Sequence, residues 1–95
     1  GEPAYNKIHG KWLSEQPYVV LHRLAVTEDA KGHGVGAMFL QEVERLCRTA
    51  GVHSFKVDTN YDNERMLRVL DKLGFTLCGN IFYKQGSRMA FEKLI

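Results

Sequence analysis

The sequence predicts one α/β domain with its elements in the order β-α-β-α-β-β. Apolar residues run almost without interruption over Tyr18–Val26 and then recur at three- and four-residue spacing up to residue 50. A second strand and helix pattern follows, and two strands end the chain. With 95 residues, 44% of them hydrophobic, the chain can bury one core only. We therefore expect a single small domain, residues 18–95, after an irregular lead-in, residues 1–17.

The lead-in shows no sustained apolar period, and we expect one helical turn at Ala4–His9. Tyr5 and Trp12 are expected to anchor it by packing on the domain. The strand Tyr18–Val26 is predicted to be buried on both faces, because it is almost entirely apolar. Since side chains alternate along a strand, His22 is an ionisable group that projects from one of these faces.

An amphipathic helix is predicted over Gly34–Ala50, and Gly51 is the residue type that favours its C-terminal end. Its apolar positions are Val35, Met38, Phe39, Val43, Leu46 and Ala50. Its outer face is expected to carry Gln41, Glu42, Glu44, Arg45 and Arg48.

The second strand is predicted over His53–Thr59, parallel to the first, because a strand-helix-strand link of this length forms a right-handed crossover. A second helix is predicted over Asn63–Leu73 and stops at Gly74. Phe75–Tyr83 and Arg88–Leu94 are then expected to form a hairpin around residues 84–87.

Three alternating glycines, Gly32, Gly34 and Gly36, stand where the first helix begins. A helix N-terminus has backbone N–H groups without intrahelical partners and a partial positive charge, and glycine lets a ligand approach those groups closely. Together with the Lys31 ammonium, these groups predict an anion site suited to a pyrophosphate.

Three phosphate-binding patterns can be compared with this loop. A P-loop needs Gly-Lys-Ser/Thr, which the chain lacks. The dinucleotide fingerprint is matched literally by Gly32, Gly34 and Ala37, with Asp58 about 20 residues later as a ribose-binding acid. However, residues 27–31 separate the strand from the first glycine, and the chain is too short for two mononucleotide-binding halves. The third pattern, Q/R-x-x-G-x-G/A, is matched from Lys31 to Gly36 with lysine in the first place.

This third pattern resembles the coenzyme A pyrophosphate loop of the GNAT superfamily of N-acetyltransferases. The preceding strand HRLAV and the later stretch DTNYDNERMLRVLDKLGFTLCGNI also resemble that family, so that the resemblance covers about Tyr18 to Leu94. It implies a GNAT-like mixed sheet, with a central parallel pair flanked by helices and a C-terminal hairpin. It also implies an acetyl-CoA-binding domain that forms the C-terminal part of a longer domain, because the family's N-terminal half has no counterpart here.

The resemblance further implies which residues bind acetyl-CoA as cosubstrate. Pantetheine would pair with the backbone of Leu24, Ala25 and Val26, in the gap where the first two strands splay apart. The pyrophosphate would rest on the loop and first helical turn, formed by Lys31, Gly32, His33, Gly34, Val35, Gly36 and Ala37. Asn63 matches an asparagine that often contacts pantetheine or the acyl thioester, and a helix cap is its equally favoured alternative.

The implied reaction is attack of a primary amine on the acetyl thioester. His22 is the first candidate for the base and Asp58 the second, while a packed core histidine is the alternative for His22. The family's tyrosine acid is replaced by Leu70 in this chain. Cys78 or Tyr83 is the possible substitute, although Cys78 is also expected to be a small buried hydrophobic residue.

Composition bounds the partners. The net charge of +2, with evenly scattered Lys and Arg, favours neither nucleic acid nor membrane. Cys47 and Cys78 show no metal-binding or disulfide spacing, so we expect no metal and a cytoplasmic location. The partners expected are a small-molecule or peptide amine and a second copy of the chain. This homodimer would cover the edge of Tyr18–Val26 that the absent strands leave open.

Two alternatives remain open at this point. The first is a coenzyme A-binding GNAT fragment without turnover, because the acceptor site of the family is built partly from the N-terminal half. The second is a dinucleotide-binding domain, supported by the literal fingerprint and by Asp58.

Overall fold

The computed structural model describes residues 3–21 and 34–95. In chain order the elements are a 3-10 helix at Pro3–Lys7, β1 at His9–Gly10, β2 at Val19–Leu21, α1 at Val35–Ala50, β3 at Ser54–Thr59, α2 at Glu64–Lys72, β4 at Thr76–Tyr83 and β5 at Gly86–Leu94. The strands form one sheet in the order β1-β4-β5-β3-β2. β2 and β3 are parallel, and the other neighbours are antiparallel. The predicted α/β fold with a mixed sheet, a parallel pair and a C-terminal hairpin is confirmed.

The main core lies between the two helices and one face of the sheet. Both helices contribute to it, α1 through Leu40 and Cys47 and α2 through Met66 and Leu70. The sheet and the start of β4 contribute aromatic and branched side chains, namely Phe55, Val57, Phe75 and Phe91. Since Phe55 and Val57 alternate with Ser54, Lys56 and Asp58, the opposite face of the sheet carries a different set of side chains.

The buried stripe of α1 differs from the predicted one. Gly36, Leu40 and Cys47 face the core, whereas most of the predicted apolar face is exposed, up to 65% at Met38. The exposed members are Val35, Met38, Phe39, Leu46 and Ala50. Both sets satisfy the helical period, so spacing alone cannot choose between them. Packing makes the choice, because Leu40 and Cys47 belong to the main core and Glu44 forms an ion pair with Lys93 of β5 at 2.5 Å.

Several boundaries also differ from prediction. The hairpin turn is Lys84–Gln85, so β5 starts at Gly86 instead of Arg88. α2 starts one residue later than predicted, because Asn63 is its N-cap. The first strand is described as far as Leu21, and its predicted remainder, residues 22–26, lies outside the described residues.

The lead-in is more regular than predicted, since it contains the 3-10 helix and β1. Gly10 pairs with Gly79 of β4, both at positive φ. A Cβ on either glycine would overlap a backbone carbonyl oxygen of the other strand, that of Cys78 or His9. Only glycine on both sides therefore allows this strand pair to form.

Tyr5 and Trp12 anchor the lead-in, as predicted. Tyr5 is fully buried, its ring centroid lies 5.0 Å from that of Trp12, and Trp12 Nε1 donates a hydrogen bond of 2.9 Å to the Tyr5 carbonyl. The two rings form a second, smaller core with Ile81 and Ala90 on the face of the sheet opposite the helices. The lead-in thus takes the place of a covering layer on that face.

Candidate functional site

Two helix N-termini lie where β3 has its carboxyl end. We call this end of the sheet the candidate edge. α1 ends at Ala50 and a short connection leads into β3, so that the N-terminus of α1 points towards the end of β3. α2 starts at Glu64, directly after the turn that follows β3. In open α/β sheets, ligands bind outside the carboxyl ends of parallel strands, and this edge is such a place.

Gly34 caps α1 in a conformation that suits close approach of a ligand. Its φ of 74° and ψ of 13° are left-handed, and a Cβ there would meet no atom of residues 3–21 or 35–95 within 4 Å. Its carbonyl accepts the first helical hydrogen bond, from the Met38 N–H at 2.9 Å. The first turn, residues 35–37, contains no acidic side chain. The partial positive charge of this end is therefore not neutralised by its own residues, and the cap fits an anionic group.

Asn63 has the capping role that was one of its two predicted roles. Its Oδ1 accepts a hydrogen bond from the Met66 N–H at 3.2 Å, and its Nδ2 lies 3.5 Å from Thr59 Oγ1 at the end of β3. The cap fixes the side chain beside the C-terminal end of β3. A contact with pantetheine stays a prediction.

Asp58 lies at the end of β3 in a buried polar cluster. Its carboxylate accepts hydrogen bonds from the Tyr5 hydroxyl at 2.7 Å, the Tyr83 hydroxyl at 3.3 Å and Arg88 Nε at 2.5 Å. Arg88 also donates to the Asp58 carbonyl and to Asn60 Oδ1, at 3.2 and 2.8 Å. Burial, followed by the hydrogen bond to Asp58, raises the pKa of Tyr5 far above its ordinary value, so this phenol stays a donor.

This environment favours a charged, positioned Asp58. A carboxylate that acts as a general base needs a free lone pair within reach of the substrate proton, and here an arginine and two phenols already donate to this carboxylate. The geometry therefore gives Asp58 the role of joining β3, β5 and the lead-in. It also leaves little of the carboxylate for a ribose, which removes support from the dinucleotide alternative.

The polar layer around Asp58 contains three residues that were not predicted to belong to it, namely Arg88, Tyr5 and Lys56. A signal was present, because β3 reads Ser54-Phe55-Lys56-Val57-Asp58, with a polar residue at every second position of a strand predicted to be central. All six β3 residues are buried. Such alternation indicates one apolar and one polar buried face, and the polar face requires partners from other elements.

The three positions considered for the general acid lie in different parts of the fold. Leu70, at the family's tyrosine position, has no proton to donate and is fully buried in the main core. Tyr83 ends β4, which is parallel to β3 because both are antiparallel to β5, so its hydroxyl lies at the candidate edge beside Asp58. Cys78 lies further back on β4 and is half-buried, its Sγ is 3.4 Å from the Thr76 carbonyl, and burial raises its pKa.

The remaining predicted site residues lie outside the described residues. They are His22, Leu24, Ala25, Val26, Lys31, Gly32 and His33. Among the described members of the predicted pyrophosphate loop, Gly34 and Val35 are exposed, Ala37 is half-buried and Gly36 is buried.

Residues 3–21 and 34–95 contain neither a membrane-spanning helix nor a metal cluster. None of the helices there is both long enough and apolar enough to span a bilayer. Within the same ranges, no cluster of three or more His, Cys, Asp or Glu side chains is arranged to hold a metal ion.

The fold and the glycine-capped edge define a mixed α/β domain of the kind that binds an anionic ligand at a helix N-terminus. The family described as "Acetyltransferase (GNAT) family" matches residues 4–75. Since this match covers most of the chain, the chain belongs to the GNAT acetyltransferase family.

Solved structures agree with this assignment. A GNAT-family acetyltransferase from Streptococcus agalactiae is 33% identical, with a TM-score of 0.81 over 99% of this chain and 53% of its own. Ard1 from Thermoplasma volcanium is 22% identical, with a TM-score of 0.73 over 93% of this chain and 61% of its own. A Salmonella typhimurium protein, solved with its cofactor acetyl-CoA, is 18% identical, with a TM-score of 0.66 over 79% of this chain and 47% of its own. The last two show similarity of fold, and the chain spans about half the length of these relatives.

Proposed function

We propose that this chain is the coenzyme-binding part of an acetyltransferase that moves an acetyl group from acetyl-CoA to a primary amine. The observation that carries the proposal is the left-handed Gly34 cap at the N-terminus of α1, which no other described residue covers, next to the end of the parallel strand pair. Membership of the GNAT family supports it. So does the acetyl-CoA found in the similar Salmonella typhimurium protein.

The coenzyme would be held by backbone groups more than by side chains. Amides of the first turn of α1, extended by the predicted loop Lys31–His33, would donate to the pyrophosphate. Each donation to a charged oxygen contributes about 1.5–3 kcal/mol. The predicted strand backbone Leu24–Val26 would pair with pantetheine, and Asn63 lies beside the end of β3 where the acyl end is expected.

Proton removal is the main chemical task of the chain. A lysine-like amine with a pKa of about 10.4 is neutral in only about one molecule in 2,500 at pH 7. His22 is the proposed base, since an unperturbed histidine pKa of about 6.5 suits that role directly or through a water. The hydrogen bonds that engage Asp58 favour His22 over Asp58.

Protonation of the departing thiol is the smaller task. Judged by the cysteine pKa of about 8.5, the free-energy cost of releasing the thiol as an unprotonated thiolate at pH 7 is only about 2 kcal/mol. Tyr83 is the proposed donor, because its hydroxyl lies at the candidate edge. With Leu70 in the core, the proton comes from a strand and not from the helix that supplies it in the resembled family.

A pair of measurements tests the proposal. Thermal shift with coenzyme A and with NAD should show stabilisation by coenzyme A alone, and stabilisation by NAD alone would contradict the proposal. Acetyl-CoA turnover with a panel of primary amines then separates an enzyme from a coenzyme-binding fragment. Binding without turnover in this chain, but with turnover in a longer reading frame, would show that the acceptor site needs the other half.

A further inference from the structure

A cleft separates the lead-in from the polar face of the sheet. It has a volume of about 950 Å³ and is lined by lead-in residues between Tyr5 and Pro17, by Tyr18 and, from the sheet, by Lys56. Its walls include the rings of Trp12 and Tyr18 and the polar residues Ser14 and Gln16. This size lies within the range of small-molecule sites, which combine apolar walls with a few polar groups.

Lys56 is a buried ammonium at the bottom of this cleft. The residue is only 4% exposed. In the sheet it stands opposite Val20 of β2 and Glu92 of β5, and this register directs it to the face covered by the lead-in. Its Nζ lies 3.7 Å from the ring centroid of Tyr18 and 4.2 Å from that of Trp12. The two rings hold the cation by cation–π contact.

The neighbouring carboxylate is already engaged elsewhere. Glu92 is fully buried and accepts hydrogen bonds from the Leu13 N–H at 2.8 Å, Ser14 Oγ at 2.6 Å and Ser54 Oγ at 2.8 Å. These donors fix the lead-in over the sheet. Within the described part of the chain, no carboxylate lies within 4.0 Å of Lys56 Nζ, and no side chain or carbonyl accepts a hydrogen bond from it.

The ammonium therefore lacks what buried charges usually have. Burial lowers the pKa of Lys56, and the nearby charge of Glu92 opposes this shift only in part. An anion that entered the cleft would supply the missing acceptor, and an apolar group attached to it would contact the aromatic walls.

We propose that this cleft binds a small organic carboxylate, with Lys56 as its cationic partner and Trp12 and Tyr18 as the contacts of its apolar part. The proposal is independent of acetyl transfer, because it concerns the face opposite the helices and uses no residue of the predicted coenzyme loop. It assigns a role to Lys56, which has no oxygen partner among residues 3–21 and 34–95.

The test uses phenylacetate as probe and phenylacetamide as its neutral counterpart. Trp12 is the chain's single tryptophan, so its fluorescence reports occupancy of the cleft. Phenylacetate should produce a saturable change, and phenylacetamide should bind at least about tenfold more weakly, because it lacks the charge that pairs with the ammonium.

Lys56→Met is the test variant, since it keeps the length of the stem and removes the charge. It should weaken phenylacetate binding by about tenfold or more. Lys11→Met is the matched control, because Lys11 also lines the cleft but is exposed, and it should bind like wild type. Equal binding by Lys56→Met and wild type, or no saturable response in wild type, would overturn the proposal.

A second measurement covers the case in which Lys56→Met does not fold. Wild-type protein is treated with an amine-reactive acylating reagent, with and without phenylacetate, and peptide mass spectrometry reports modification of each lysine. Phenylacetate should protect Lys56 and leave Lys72, an exposed residue of α2, equally reactive. Modification of Lys56 to the same extent with and without phenylacetate would count against the site as firmly as a failed titration.

Discussion

Arg88 Nε donates a hydrogen bond of 2.5 Å to the Asp58 carboxylate, which also accepts one from the Tyr5 hydroxyl. The Asp58 side chain is 1% exposed and that of Arg88 15%. The pair joins β3 to β5, and through Tyr5 it joins both strands to the lead-in. A buried ion pair of this kind stabilises the fold little more than an apolar pair would, but loss of one partner leaves an uncompensated buried charge.

Arg88→Met should lower the free energy of unfolding by about 3–5 kcal/mol, because Asp58 would keep its charge in the interior without its cation. Denaturant titration measures this. Arg65→Met, at an exposed arginine of α2, is the control and should stay within about 0.5 kcal/mol of wild type. Similar losses in the two variants would contradict a structural role for the pair.

Alkaline pH should weaken the attachment of the lead-in. The folded state raises the pKa of Tyr5 above its unfolded value of about 10. The unfolded chain therefore releases this proton first, and stability is lost as pH rises above about 10. Tyr5→Phe should be less stable by about 1.5–3 kcal/mol at pH 8, since it lacks the bond to a charged acceptor.

The same variant supplies the control for alkaline pH. Tyr5→Phe has no phenol at this position. Its free energy of unfolding should therefore approach that of wild type as the pH rises above about 10. Urea midpoints at several pH values give the comparison. A difference that stays constant with pH would show that Tyr5 does not titrate differently in the two states.

Gly34→Glu should abolish coenzyme A binding, because it places a side chain and a negative charge at the proposed pyrophosphate position. Calorimetric titration measures the affinity. Gly34→Asn is the matched control, since asparagine tolerates the left-handed conformation and adds no charge. It should retain more affinity than Gly34→Glu, and wild-type affinity in a folded Gly34→Glu protein would make the loop assignment wrong.

The rate of acetyl transfer should rise with pH through an apparent pKa near that of a histidine, if His22 is the base. His22→Ala should remove this limb and lower kcat/KM by about 10²–10⁴. Coenzyme A affinity should hardly change. Asp58→Asn, assayed where it remains folded, should keep the histidine limb. An unchanged pH profile in His22→Ala would leave the base unidentified.

The exposed edge of β2 should mediate self-association. β2 pairs with β3 on one side, and in the described part of the chain no strand pairs with its other side. An open edge next to apolar residues favours pairing with a second copy. We expect a homodimer in light scattering, with slow amide exchange along Val19–Leu21. A stable monomer at micromolar concentration with fast exchange there would contradict it.

Much of the fold follows from local sequence. The two helices and the β3, β4 and β5 strands were predictable because their apolar periods and glycine stops are local properties of the chain. The Gly34 cap was predictable for the same reason, since only glycine readily supplies its left-handed backbone where the helix period begins. The parallel pair followed from the length of the crossover.

Tertiary structure decided which groups meet. It selected the Leu40 and Cys47 stripe of α1 over the predicted one, and it paired Gly10 with Gly79 across 69 positions of sequence. It also turned a second candidate base, Asp58, into the partner of Arg88 and left Lys56 facing aromatic rings. The reason is physical: a local pattern sets how a segment can fold, whereas the partner of a buried charge depends on long-range register between strands.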